Sequence, residues 1–246
     1  MSREITVRKC AGLEEFQRCV DLQREIWKEA DLEVEPVTMF VVAAHTGGQV
    51  LGAFDGEQMV GYTLAVAGLR DRVPYLHSHM TGVQNEYRNR GVGRLLKLFQ
   101  RDEALRRGIR LIQWTFDPLE LRNAHFNLNR LGAICREYQP NLYGVTTSPL
   151  HRGLATDRLL AEWHLDSARV VAAIENLVKD PVEAPAMIAL PADLARWQSE
   201  DSARVSALQG RVREEFTKWF GKGYAAIALR TTPGNPAYLL SPWSDF

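Results

Sequence analysis

His77 and His79 stand two residues apart in Tyr75–Val83, a run that reads as a strand. Residues i and i+2 of a strand project to one face, so both imidazoles are expected on the same side of a sheet. Imidazole titrates near neutral pH, which suits removal of a proton from an ammonium group. The competing reading is two ordinary polar strand residues; for His77 that reading stands first, with a relay role second. Two grouped ligands fall short of a metal centre, so no metal is expected. Directly downstream comes Gln84-Asn85-Glu86-Tyr87-Arg88-Asn89-Arg90-Gly91-Val92-Gly93, a basic glycine loop that runs into a helix. First-turn N–H groups of a helix have no helical acceptor and point at whatever sits before them. Gly91 and Gly93 let the backbone turn sharply and approach a phosphate, and Arg88, Arg90 and Arg94 add positive charge there. The alternative is a helix start with a solvated arginine collar.

The helix after the loop is expected to reach Arg107. Val92, Leu95, Leu96, Phe99 and Leu105 share one face, Arg94, Lys97, Arg101, Asp102 and Arg106 lie elsewhere, and Gly108 supplies the stop. Upstream, Ile5–Arg8 reads as a strand and Leu13–Glu29 as an amphipathic helix broken at Val34-Glu35-Pro36. Val37–His45 comes next as a short helix, and then a hairpin of Val50–Phe54 and Met59–Leu69 around Asp55-Gly56. Downstream, Leu111–Phe116 is a buried-type strand, parallel to Tyr75–Val83 because a helix connects them. Arg122–Arg130 reads as a helix, and Ile134–Tyr138 and Arg158–Leu165 as strands. The long loop Gln139–Asp157 between those strands could border a substrate site. The remainder reads as helix Ala168–Val178, strand Ala186–Leu190, one long helix Leu194–Phe220, strand Tyr224–Arg230, a turn over Thr231–Asn235, and strand Ala237–Leu240.

Thirty basic and thirty acidic residues give a formal charge of zero, and 46% hydrophobic content is ordinary for a globular protein. That balance points to neither nucleic acid nor an anionic membrane surface. Cys10, Cys19 and Cys135 are scattered, without a CxxC pair, which fits a reducing compartment and a structural thiol at Cys135. The first residues carry no apolar signal core and no apolar run is long enough to span a bilayer, so a cytoplasmic location is expected. Without a Gly-x-Ser-x-Gly elbow, a serine-hydrolase reading has no support.

Arg88-Asn89-Arg90-Gly91-Val92-Gly93 fits the pattern Arg/Gln-x-x-Gly-x-Gly/Ala, with a strand before it and a helix after it. Over about Glu4–Asp166 the chain resembles the GNAT superfamily of acyl-CoA-dependent N-acyltransferases. The resemblance implies an α/β fold: a mixed, mostly antiparallel sheet with splayed central parallel strands, flanked by helices. It divides the chain into an acyltransferase domain, residues 1–166, and an α/β extension, residues 167–246. In the family the loop cradles the CoA pyrophosphate and the preceding strand holds the pantetheine arm. That implies cofactor contacts at Thr81, Gly82, Val83, Arg88, Asn89, Arg90, Gly91, Val92, Gly93 and Arg94. Asn123, followed by Phe126 and Leu131-Gly132, resembles the family's second motif and adds a further contact.

The family also places an oxyanion-stabilising backbone N–H on this strand, at Thr81 or its neighbours, so Thr81 joins His79 and His77 as catalytic candidates. The histidine pair is similar to that of arylalkylamine N-acetyltransferases. Where many members carry a Tyr that protonates the leaving thiolate, this chain has Leu128; Tyr138, Tyr143 and His125 are the substitutes at hand. Arg70, Arg72 and Arg122 could bind an acceptor carboxylate or be solvated surface residues, and Trp163, His164 and Asp166 fit a pocket and ordinary strand-end residues equally well. The expected activity is direct transfer of acetyl or another short acyl group, succinyl among them, from acyl-CoA to a primary amine of a small molecule, with an amino acid as one acceptor class. The co-substrate is acetyl-CoA or another acyl-CoA, and a homodimer stays open. The rival is a non-catalytic CoA-binding regulator or scaffold on the same fold.

Overall fold

The computed structural model describes residues 4–28, 34–144, 153–177, 184–232, 234 and 236–243. These fall into two compact units, one reaching Gln113 and one starting at Trp114. The first contains β1 (Ile5–Lys9), α1 (Gly12–Trp27), α2 (Val37–His45), β2 (Gln49–Asp55), β3 (Gln58–Arg70), β4 (Val73–Val83), α3 (Val92–Arg106) and the start of β5 (Leu111–Phe116). Its strands pair in chain order, β1-β2-β3-β4-β5. The first three pairings are antiparallel. The fourth is parallel and covers only Leu76↔Ile112 and His77↔Gln113. A helical crossover forces that parallel direction, as expected.

Both faces of this sheet are covered, which is why β2 is buried along almost its whole length instead of alternating. Phe16, Cys19, Val20 and Leu22 of α1 and Phe40 of α2 pack with Tyr62 and Leu64 of β3 on one face. Val92 and Leu96 of α3 pack with Leu51, Ala53 and Val60 on the other. At Gly82 the end of α1 comes so close that an added Cβ would lie 2.8 Å from both Ile26 and Trp27 side-chain atoms.

The expected outward face of α3 needs correction. Lys97, Gln100 and Glu103 are buried, whereas Leu95 is 40% exposed. The inward stripe runs Val92, Leu96, Lys97, Gln100, Glu103 and Ala104. Periodicity of apolar residues alone does not see it, because half of that stripe is polar.

The second unit holds α4 (Leu121–His125), β6 (Ile134–Gln139), β7 (Arg158–His164), α5 (Ala168–Ile174), β8 (Ala186–Ala189), α6 (Leu194–Glu200), α7 (Ser202–Phe220), β9 (Tyr224–Arg230) and β10 (Ala237–Pro242). Its strands run in the order β7-β6-β9-β10-β8, with every pairing antiparallel. Two helix expectations change. The single helix over Leu194–Phe220 is two, because Asp201 leaves helical geometry and its carboxylate caps the N–H of Arg204. The expected helix Arg122–Arg130 ends in a π-helical turn, Phe126–Arg130, braced where Asn129 exchanges two hydrogen bonds with the Leu229 backbone. α1 stops at Trp27, with Lys28 left-handed, short of the expected Glu29, and α5 stops at Ile174, short of Val178. Parts of the Gln139–Asp157 loop and the Thr231–Asn235 turn lie outside the described residues.

Candidate active site

β4 carries the site because it is irregular. Leu64 of β3 faces Met80 and Ala65 faces Ser78, so His79 is an extra residue, a β-bulge without a register partner. A bulge reverses the alternation beyond it. Met80 packs with Tyr62 and the α1–α2 side, whereas Val83 packs with the α3 side. Gly82 faces the end of α1. The rings of His77 and His79 lie 6.4 Å apart, close as the sequence suggested. Beyond them the bulge, and not plain alternation from His77, sets the face on which each side chain of β4 lies.

His79 Nε2 lies 2.9 Å from Glu35 Oε1, and each side chain is about one-third exposed. Glu35 is held from behind: its N–H donates to Gln23 Oε1 at 2.9 Å and its carbonyl accepts from Gln23 Nε2 at 3.1 Å. This is the base–orienter geometry of acid–base sites, an imidazole fixed by a carboxylate that is itself anchored. Sequence reading took Val34-Glu35-Pro36 only as a helix breaker. His77 is half-buried; burial first, and then the charges of His79 and Lys97, push its imidazole below the usual range, so it stays neutral at pH 7.

Beneath β4, on the α3 side, Lys97 Nζ donates to Ser78 Oγ at 2.8 Å and to Gln100 Oε1 at 3.0 Å. Burial alone pushes this amine down from the usual 10.5 to about 7. Between those values the unfolded chain binds the proton that the folded chain releases, so stability rises with pH across the window and the cost is complete below it. Lys97→Met is therefore expected to raise the melting temperature at pH 6, by several degrees at about 1.4 kcal/mol per pKa unit. The gain should shrink toward pH 10, and thermal unfolding at the two pH values checks it.

The loop after β4 contains a single 3₁₀ turn, Asn85–Tyr87. Tyr87 anchors it by donating to Asp55 Oδ2 at 2.8 Å, and Arg90 lies over the Tyr87 ring at 4.8 Å. Arg88 Nε reaches the Val83 carbonyl at 3.4 Å. Asn89 and Gly91 both adopt positive φ, +62° and +82°, and the Gly91 carbonyl accepts the first helical bond from Leu95. No side chain caps α3. Arg88, Asn89, Arg90 and Gly91 are exposed, Gly93 and Arg94 half-buried, and Val92 is buried as the first core residue of the helix. Nothing lies within 4 Å of a Cβ added at Gly91. Thr81 stands opposite Thr63, with their hydroxyls 3.1 Å apart.

The second unit contains the remaining candidates. Asn123 is exposed on α4, and Leu128 is 1% exposed. Tyr138 donates to Asp157 at 2.7 Å, and burial followed by that bond drives its hydroxyl far above the usual range, so it keeps its proton. Tyr143 shares a hydrogen bond of 2.8 Å with Thr115. Trp163 is fully buried and donates to the Leu131 carbonyl. Burial likewise pushes the Cys135 thiol well up, which suits a structural residue. Arg70 stacks on Tyr75 and Arg72 sits at positive φ in the β3–β4 turn. Among the described residues no group of three or more His, Cys, Asp or Glu could hold a metal ion, and no helix is long and apolar enough to cross a membrane. A separate groove of about 620 Å³, lined by Glu14, Arg18, Asp21, Phe54 and Met59 among others, includes none of the candidate residues.

No family model matches this chain, and no curated protein does. Solved structures do. The ribosomal-protein-S18-alanine N-acetyltransferase of Escherichia coli aligns with a TM-score of 0.54 at 13% identity, over 67% of this chain and 96% of that one. Arabidopsis thaliana NAA60, solved with acetyl-CoA, gives 0.54 at 14% identity over 65% and 99%. A GNAT-family protein of Desulfovibrio desulfuricans gives 0.52 at 14% identity over 66% and 99%. This chain has the GNAT acetyltransferase fold.

Proposed function

We propose that this chain is an acyl-CoA-dependent N-acyltransferase that moves acetyl or another short acyl group, succinyl included, to a primary amine of a small molecule. The acceptor class is amino acid-like, and transfer is direct, within a ternary complex. The observation that carries the reading is the His79–Glu35 pair at the bulge of β4, on the strand that runs straight into the glycine loop and α3. As an amine nitrogen bonds to a thioester carbon it must shed a proton, and an imidazole backed by a carboxylate suits that step. His77 is its neutral neighbour. The loop Arg88–Arg94 and the first turn of α3 bind the pyrophosphate, with Asn123 as a further contact. Thr81, Gly82 and Val83 hold the pantetheine arm by their backbone, and the oxyanion N–H comes from Thr81 or its neighbours. Past His77 the β4–β5 register ends, which leaves β4 backbone for such an arm.

Acyl-CoA as co-substrate is supported by the shared fold and by acetyl-CoA in NAA60. The acyltransferase domain is assigned to residues 1–166, in keeping with the two-thirds share of the chain matched by the solved structures. The remainder is an α/β extension. Three free, buried thiols suit a reducing compartment such as the cytoplasm.

The test is calorimetric titration with acetyl-CoA and succinyl-CoA, followed by thiol release against a panel of amines and amino acids. Binding with amine-dependent thiol release is the expected result. Binding without turnover on any amine would favour a CoA-binding regulator, and absence of binding would reduce the glycine loop to an ordinary helix start.

A further inference from the structure

Gln113 is 1% exposed, yet its Nε2 is buried without a hydrogen-bond partner among the described residues. A buried donor left unpaired costs about 1–3 kcal/mol, and such a group in a folded protein calls for an explanation. Its place in the fold supplies one. Gln113 is paired in register with His77, at the last position where β4 and β5 run side by side. Registered residues of a parallel pair leave the sheet on the same face, so the carboxamide shares the face of His77, whose ring is 6.4 Å from that of His79. A neutral donor with no acceptor among the described residues thus lies on the sheet face of the histidine pair in which proton removal is assigned.

We propose that Gln113 Nε2 donates a hydrogen bond to the carbonyl oxygen of the bound acyl thioester and to the negative charge that develops on it. The inference rests on the acyltransferase reading above. When the amine nitrogen bonds to the thioester carbon, the C=O π pair moves onto oxygen, and the Gln113 N–H donates to that charge. His79 takes the nitrogen proton. Collapse re-forms the C=O bond, breaks the C–S bond, and leaves the electron pair on sulfur. The proton held by His79 then neutralises the thiolate, so atoms and charge balance without a dedicated acid. Buried in low dielectric, a fixed carboxamide dipole acts more strongly than it would in water and needs no reorganisation as the charge appears.

Gln113→Leu and the straighter Gln113→Met test this in the full-length chain. The expected result is a kcat lowered by about 10- to 1,000-fold, with the acetyl-CoA dissociation constant and the amine KM little changed. The melting temperature should hold or rise, because an unpaired buried amide has been removed. In isotope-edited infrared spectra, the wild type should lower the carbonyl stretching frequency of bound acetyl-CoA, and both variants should restore it toward the free value. An unchanged kcat, or a kcat that falls only together with the melting temperature in both variants, would overturn the assignment and leave Gln113 a packing residue. A wild type that binds acetyl-CoA and turns over, with no carbonyl shift, would overturn this inference alone. A wild type without thiol release on any amine would overturn the function as well.

Discussion

Replacing His79 by alanine is expected to lower kcat for acyl transfer about 100- to 1,000-fold while leaving the binding of acyl-CoA almost unchanged. The effect is large because His79 is the imidazole in the described site with a carboxylate 2.9 Å from its ring nitrogen. It is confined to kcat because the proposed base acts on the acceptor amine, and His79 makes no part of the glycine loop. Glu35→Gln keeps the shape and removes the charge that stabilises the imidazolium, so a smaller loss of about tenfold is expected. Gln23→Leu should act in the same direction, since it releases both backbone bonds that hold Glu35. Thiol-release kinetics on the three variants check this order. Full activity of His79→Ala across pH would remove His79 from the mechanism.

Gly91→Val should weaken acetyl-CoA binding by about 100-fold or more, at a stability cost of only about 1–2 kcal/mol. Gly91 sits at φ +82°, where a β-branched residue is strained, but its Cβ would meet no protein atom within 4 Å. The fold therefore tolerates the side chain, whereas a phosphate drawn to the first-turn N–H groups does not. Arg88→Ala and Arg90→Ala should each cost about tenfold, as expected for one charge-assisted hydrogen bond. Calorimetry for the cofactor and thermal unfolding for the fold separate these outcomes. A Gly91→Val protein that binds acetyl-CoA as tightly as the wild type would place the pyrophosphate elsewhere.

Much of the frame was legible in the chain itself. Asp55-Gly56 between apolar runs marked the β2–β3 hairpin, and the strand–glycine loop–helix succession marked β4, α3 and the parallel strand after it. These signals are local: turn chemistry, hydrophobic period and a connection length that permits one direction of pairing. The apolar face of the segment Leu194–Phe220 was also legible, but its break was not, because Asp201 reads as an ordinary helix-surface residue until its carboxylate is seen capping Arg204.

What the tertiary structure decided concerns residues that meet across the chain. Glu35 lies 44 positions from His79, and no periodicity links a carboxylate before a proline to an imidazole on a later strand. The bulge at His79 is a property of pairing with β3, so one strand's sequence cannot reveal it. Lys97 looked like a solvated charge and Gln113 like one polar residue in a buried strand. Only packing both faces of the first sheet puts the lysine under Ser78 and leaves the Nε2 of Gln113, in register with His77, without a partner among the described residues. The sequence by itself determined which elements form and in what order, through local backbone and hydrophobic preferences. The tertiary structure decided which polar groups are desolvated and which partners they meet, because burial and hydrogen bonding across distant segments exist only once the chain is packed.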